Sequence, residues 1–92
     1  MHKILILIFL FVLNHSILSA QIINKIEISG NKRVSKETVE IYGDLKINKD
    51  YNDKELNKVL ENLYSTNFFE DIKIKITNNV LKIILIEYPV IN

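Results

Sequence analysis

The chain has 92 residues, 48% of them hydrophobic, and no cysteine, which allows one small domain and excludes a disulfide frame, a thiolate metal site and a lipid anchor on cysteine. Lys and Arg number 12 against 11 Asp and Glu. One of the cations, Lys3, belongs to a leader, so the rest is formally neutral, which excludes bulk attraction to nucleic acid or anionic lipid.

Lys3 precedes ten consecutive apolar residues, 4–13, which give way to Asn14-His15 and then to Ile17-Leu18-Ser19-Ala20. This is the shape of a secretory signal, with cleavage expected after Ala20. A bilayer span needs about 20 apolar residues, so the interrupted run is too short for an anchor. The chain divides into a signal peptide at 1–20, a domain at 21–89, and at 90–92 the start of a following repeat or a tail. A domain this small, without staples, retains roughly 3–5 kcal/mol of net stability, because ordering entropy cancels most of what apolar burial contributes.

Within the domain, Ile22, Ile26 and Ile28 alternate with Lys25 and Glu27, the period of a half-buried strand over residues 22–29, which Gly30-Asn31 ends. Ser35 is placed to cap a short helix, with Val34 and Val39 as a hydrophobic staple and Gly43 as its left-handed stop. A second helix opens at Asn52, with Glu55 three residues on to complete a capping box and Tyr51 and Leu56 as the staple. Leu56, Val59, Leu60, Leu63 and Tyr64 form one apolar stripe facing the core. Asn67, tolerant of positive φ, closes the helix.

Ile72, Ile74 and Ile76 then alternate with Asp71, Lys73, Lys75 and Thr77 in a second strand. Asn78-Asn79 is a two-residue hairpin turn. The third strand, Val80–Glu87, is apolar at both parities apart from Lys82, the pattern of a central strand. Leu81, Ile83 and Leu85 cannot share a face with Val80, Ile84 and Ile86, so one set lies on the side without helices. Pro89 ends the ladder. The fold class is α+β, in the order β-α-α-β-β, with a three-stranded mixed sheet covered on one face by two helices. Tyr51, Tyr64, Phe68 and Phe69 read as core and staple aromatics.

His2 and His15 both lie in the signal, so the mature domain holds neither histidine nor cysteine and no ordinary nucleophile–base pair or zinc site. Asn48, Asp50 and Asn52 imitate the opening of a calcium loop, but Asp53 stands at its glycine position and Val59 at its terminal glutamate, so the segment reads as a turn into a helix cap. Glu70 and Asp71, adjacent on a strand, face opposite sides and make no acid–base pair. Gly30 and Gly43 are the only glycines, too few for a phosphate-cradling loop. The expectation is a domain with no catalytic, cofactor-binding or metal-binding residues, one that binds other proteins.

Three stretches resemble one family. Ile28-Ser29-Gly30-Asn31-Lys32-Arg33-Val34-Ser35 resembles the Gly-Asn turn and helix-opening serine of the POTRA domains of outer-membrane assembly proteins of the BamA kind. Leu63-Tyr64-Ser65-Thr66-Asn67-Phe68-Phe69-Glu70-Asp71-Ile72 resembles their helix-to-strand junction, with Asn67 where glycine is common. Glu87-Tyr88-Pro89 resembles their closing Glu-x-Pro. The match covers residues 21–92, and the ending looks like an N-terminal portion of such a protein, entering a second repeat.

The resemblance implies a location on the periplasmic face of the outer membrane. It implies as partners unfolded outer-membrane proteins, a periplasmic chaperone, accessory assembly subunits and neighbouring POTRA domains. Membrane association would come only through a C-terminal barrel that the sequence lacks. It places strand Phe69–Thr77 at a sheet edge, where Phe69, Asp71, Lys73, Ile74, Lys75 and Thr77 are the candidate partner-binding residues for β-augmentation. Alternatives are the POTRA-type domain of an FtsQ-like division protein behind an uncleaved anchor, and that of a two-partner secretion transporter.

Overall fold

The structure, a computed structural model, describes residues 22–90. The expected signal peptide and its cleavage site lie outside the described residues.

The first apolar alternation forms two strands rather than one. Strand β1 is Ile22–Ile23 and β2 is Lys25–Ser29. Asn24 separates them because its amide donates to the Asn79 carbonyl at 2.9 Å, while Asn79 Nδ2 donates to the Ile22 carbonyl at 2.7 Å. The chain changes partner there: β1 pairs antiparallel with β3, Lys49–Asp50, and β2 runs parallel to the third long strand.

Helix α1, Lys36–Gly43, begins as expected at Ser35, whose Oγ accepts from the Thr38 amide at 3.1 Å. Its end corrects the reading. Asp44, at φ 52°, is the left-handed residue, and Gly43 stays helical. The closure falls one residue later, where the Leu45 amide donates to the Glu40 carbonyl at 2.9 Å and the Asp44 amide to the Ile41 carbonyl at 3.2 Å.

Helix α2 is Asp53–Tyr64, and Asn52 Oδ1 accepts from the Glu55 amide at 2.9 Å. The capping box is only half built. The Glu55 carboxylate bonds instead to Lys49 Nζ at 3.1 Å, and that bond holds the Lys49 ammonium above its ordinary pKa. Val59 and Leu63 are buried, whereas Leu56 and Leu60 are half-buried against the same core.

Strands β4, Phe69–Thr77, and β5, Val80–Glu87, complete the main sheet in the order β2-β5-β4, so β5 is central. Asn78 and Asn79 turn the hairpin at φ 51° and 62°, and Asn67 is left-handed at φ 62°. The helix-covered face carries Leu81, Ile83 and Leu85 together with Ile26, Ile72 and Phe69. Ile84 and Ile86 are left on the open face.

Two of the four aromatics expected inside are there. Tyr51 and Phe69 are buried, and the Tyr51 hydroxyl accepts from the Lys46 amide and donates to the Lys46 carbonyl. Tyr64 and Phe68, by contrast, are 41% and 40% exposed. Phe68 packs edge-on to Tyr42 at 5.8 Å, and the Tyr64 phenol reaches out to the edge of the sheet.

Leu60→Ala is expected to cost about 2 kcal/mol, the low end of the range for leucine truncation, because the half-buried side chain leaves a site that water can enter. Urea denaturation checks this. A loss of about 4 kcal/mol would mean that Leu60 is packed as deeply as Leu63.

Candidate docking edge

The two-residue turn dictates which peptide groups of β4 face outward. In such a hairpin the residues flanking the turn, Thr77 and Val80, exchange both backbone hydrogen bonds. Pairing then alternates: Lys75 with Lys82 and Lys73 with Ile84 are bonded pairs, while Ile76, Ile74 and Ile72 aim their N–H and C=O groups away from β5. An independent observation agrees, since the Ile72 amide donates not to β5 but to the Tyr64 hydroxyl, at 3.1 Å.

No strand lies beyond β4 among the described residues. The outward groups of Ile74 and Ile76 therefore form an open ladder, with the isoleucine side chains turned to the core and Lys73 and Lys75 on the open face. Toward the start of the strand the ladder is interrupted. The register shifts between Phe69, opposite Glu87, and Asp71, opposite Ile86, which makes Glu70 a bulge. Such irregularity near an edge end limits indiscriminate pairing.

The six candidate residues fall in different environments. Phe69 is a buried core side chain, and Asp71 is half-buried with Oδ1 3.5 Å from the Tyr64 hydroxyl. Lys73 and Lys75 are exposed, Ile74 supplies outward backbone groups, and Thr77 is engaged with Val80 at the turn. Ile76, absent from the candidates, faces outward like Ile74. The parity of the Asn78-Asn79 turn is the signal that would have found it.

The ends of the sheet are tied together on the far side. The Glu87 carboxylate accepts from the backbone amides of Lys32, Arg33 and Val34, the latter two at 3.0 and 3.2 Å from Oε2. Arg33 Nε lies 3.9 Å from Oε1. Burial pushes the Glu87 carboxyl up, but the three amides and Arg33 outweigh it and hold the carboxyl below its ordinary pKa. Beyond Glu87 the Tyr88 amide donates to the Phe68 carbonyl at 3.0 Å, and Pro89, with no N–H, stops the ladder. Among the described residues no group of three or more carboxylate or histidine side chains could hold a metal ion.

Comparison with known proteins agrees with this architecture. The POTRA family, described as a surface antigen variable number repeat, matches residues 21–88. The chain belongs to the POTRA family. Over 69 residues it is 32% identical to the outer membrane protein assembly factor BamA of Neisseria meningitidis serogroup B, a match covering 75% of this chain and 9% of that protein. Over 67 residues it is 34% identical to the outer membrane protein assembly factor BamA of Neorickettsia risticii, covering 73% and 9%. The matched region spans about a tenth of the length of these relatives.

Proposed function

We propose that this POTRA domain serves, without catalysis, in an outer-membrane protein assembly factor of the BamA kind. It works on the periplasmic face of the outer membrane after export, and holds extended segments of unfolded outer-membrane proteins, or of a chaperone or accessory subunit, by β-augmentation on β4. The observation that carries this reading is the open ladder at Ile74 and Ile76. A receptor for many clients gains from reading backbone, since every extended segment offers the same N–H and C=O groups. Of the candidate residues, Ile74 would pair with the client backbone, and Lys73 and Lys75 would lie beside its side chains.

The Ile74→Pro variant tests the reading cleanly. Because the Ile74 amide faces outward, proline there removes a docking donor without removing a bond to β5, the placement in which a strand tolerates proline. Affinity for an unfolded outer-membrane protein, measured by fluorescence anisotropy, is expected to fall at least about tenfold, the equivalent of one hydrogen bond. Unchanged affinity in a variant with native circular dichroism would overturn docking on this edge.

A further inference from the structure

The open ladder is shorter than the strand that carries it, and one side chain makes it so. Three β4 residues, Ile72, Ile74 and Ile76, turn their peptide groups outward, yet the first amide is already taken by the Tyr64 hydroxyl at 3.1 Å. Tyr64 is the last residue of α2, and its phenol bridges from the helix to the strand, with Asp71 Oδ1 at 3.5 Å on the other side of the oxygen. A carbonyl of an incoming strand would need the position that this oxygen occupies, about 2.9 Å from the Ile72 nitrogen. Water can be displaced from Ile74 and Ile76 at little cost, whereas Ile72 can be reached only after the phenol swings away.

The open face adds a charge preference. Lys73, Lys75 and Lys82 have no carboxylate within ion-pair distance among the described residues, and Lys75 sits directly opposite Lys82. Lys82 has Glu27 in register on β2, but Lys73 and Lys75 on the edge strand have no carboxylate opposite them, and carboxylates on a strand added beyond β4 would supply one. The acidic residues of β4, Glu70 and Asp71, both lie at its start, beside the Tyr64 stop.

We propose that Tyr64 is a register stop: an extended partner segment bearing acidic side chains pairs with Ile74 and Ile76, and the Tyr64 hydroxyl keeps it off Ile72. The inference rests on the edge docking proposed above and adds to it where docking begins and which charge it selects. Tyr64 acts as a positioning residue, since it sets the register through the Ile72 amide.

The test is amide hydrogen exchange and chemical-shift mapping by NMR on the protein and on its Tyr64→Phe variant, with and without a blocked peptide that alternates valine with glutamate. Removing an exposed hydroxyl leaves the core untouched, so the variant folds. In the unmodified protein the peptide is expected to shift and protect Ile74 and Ile76 but not Ile72; in Tyr64→Phe, Ile72 joins them. The same peptide with lysine for glutamate is expected to bind at least about fivefold more weakly. A further gain in Ile72 protection on adding the peptide to the unmodified protein, or no such gain on adding it to Tyr64→Phe, would overturn the register stop and leave edge docking standing. Equal binding of the two peptides would overturn the charge preference. If no β4 amide responds to the peptide in either protein, edge docking itself fails and the inference with it.

Discussion

Gly30→Ala is expected to abolish cooperative folding of the domain. Gly30 sits at φ 84°, and a Cβ built on it would stand 1.9 Å from the Leu85 carbonyl oxygen and 3.0 Å from its carbon. The obstacle is backbone of the central strand β5, so no side-chain rotation relieves it. The left-handed conformation costs a non-glycine residue about 1–2 kcal/mol, and displacing packed backbone adds about 1–3 kcal/mol. Together these match the roughly 3–5 kcal/mol that a domain of this size commands. Thermal melting followed by circular dichroism should show no sigmoidal transition for Gly30→Ala. Gly43→Ala provides the contrast, because its Cβ would meet only movable leucine side chains and alanine is the better helix former by about 1 kcal/mol. A cooperative Gly30→Ala transition within a few degrees of the parent would mean that the turn does not lie against β5 as described.

Glu87→Ala is expected to cost about 3 kcal/mol and to remove most of the acid sensitivity of the fold. Glu87 joins the end of β5 to the turn after β2 through three amides spaced more than fifty residues away in sequence, with its side chain 7% exposed. Hydrogen bonds to a charged group contribute about 1.5–3 kcal/mol, and losing this one also strands the three donors. Because the folded protein holds the carboxyl below its ordinary pKa, its contribution is complete at neutral pH, above the unfolded value. It is lost as pH falls through the unfolded and then the folded pKa. Urea titrations from neutral pH into the acid range should therefore show the parent losing stability below the ordinary carboxylate range. Glu87→Gln should be less stable at neutral pH and flatter with pH. Parallel pH profiles for the two proteins would contradict the role given to the carboxylate.

Much of the fold was legible because each element carried its own local signal. The α2 stripe, the two-asparagine turn and the doubly apolar β5 are each written within about ten residues, and the structure places all three as read, except that Tyr64 at the end of the stripe turns outward. What could not be read were choices settled by distant contacts. The break at Asn24 depends on Asn79, and the diversion of Glu55 from its capping box depends on Lys49. The docking edge shows the same division. Lys73 and Lys75 announced an exposed face by alternation, and Phe69 is buried as its reading as a core aromatic expects, but Ile76 and the role of the Tyr64 hydroxyl emerged only once strand parity and the α2–β4 junction were fixed in space.

The most direct test of docking on β4 is to find which backbone atoms touch a bound client segment. Nuclear Overhauser contacts between a labelled domain and an unlabelled extended peptide from an outer-membrane barrel strand would do so. The account predicts cross-strand contacts from the peptide backbone to the amide and Cα protons of Ile74 and Ile76. Contacts confined to α1, α2 or β2, with those protons silent, would contradict it.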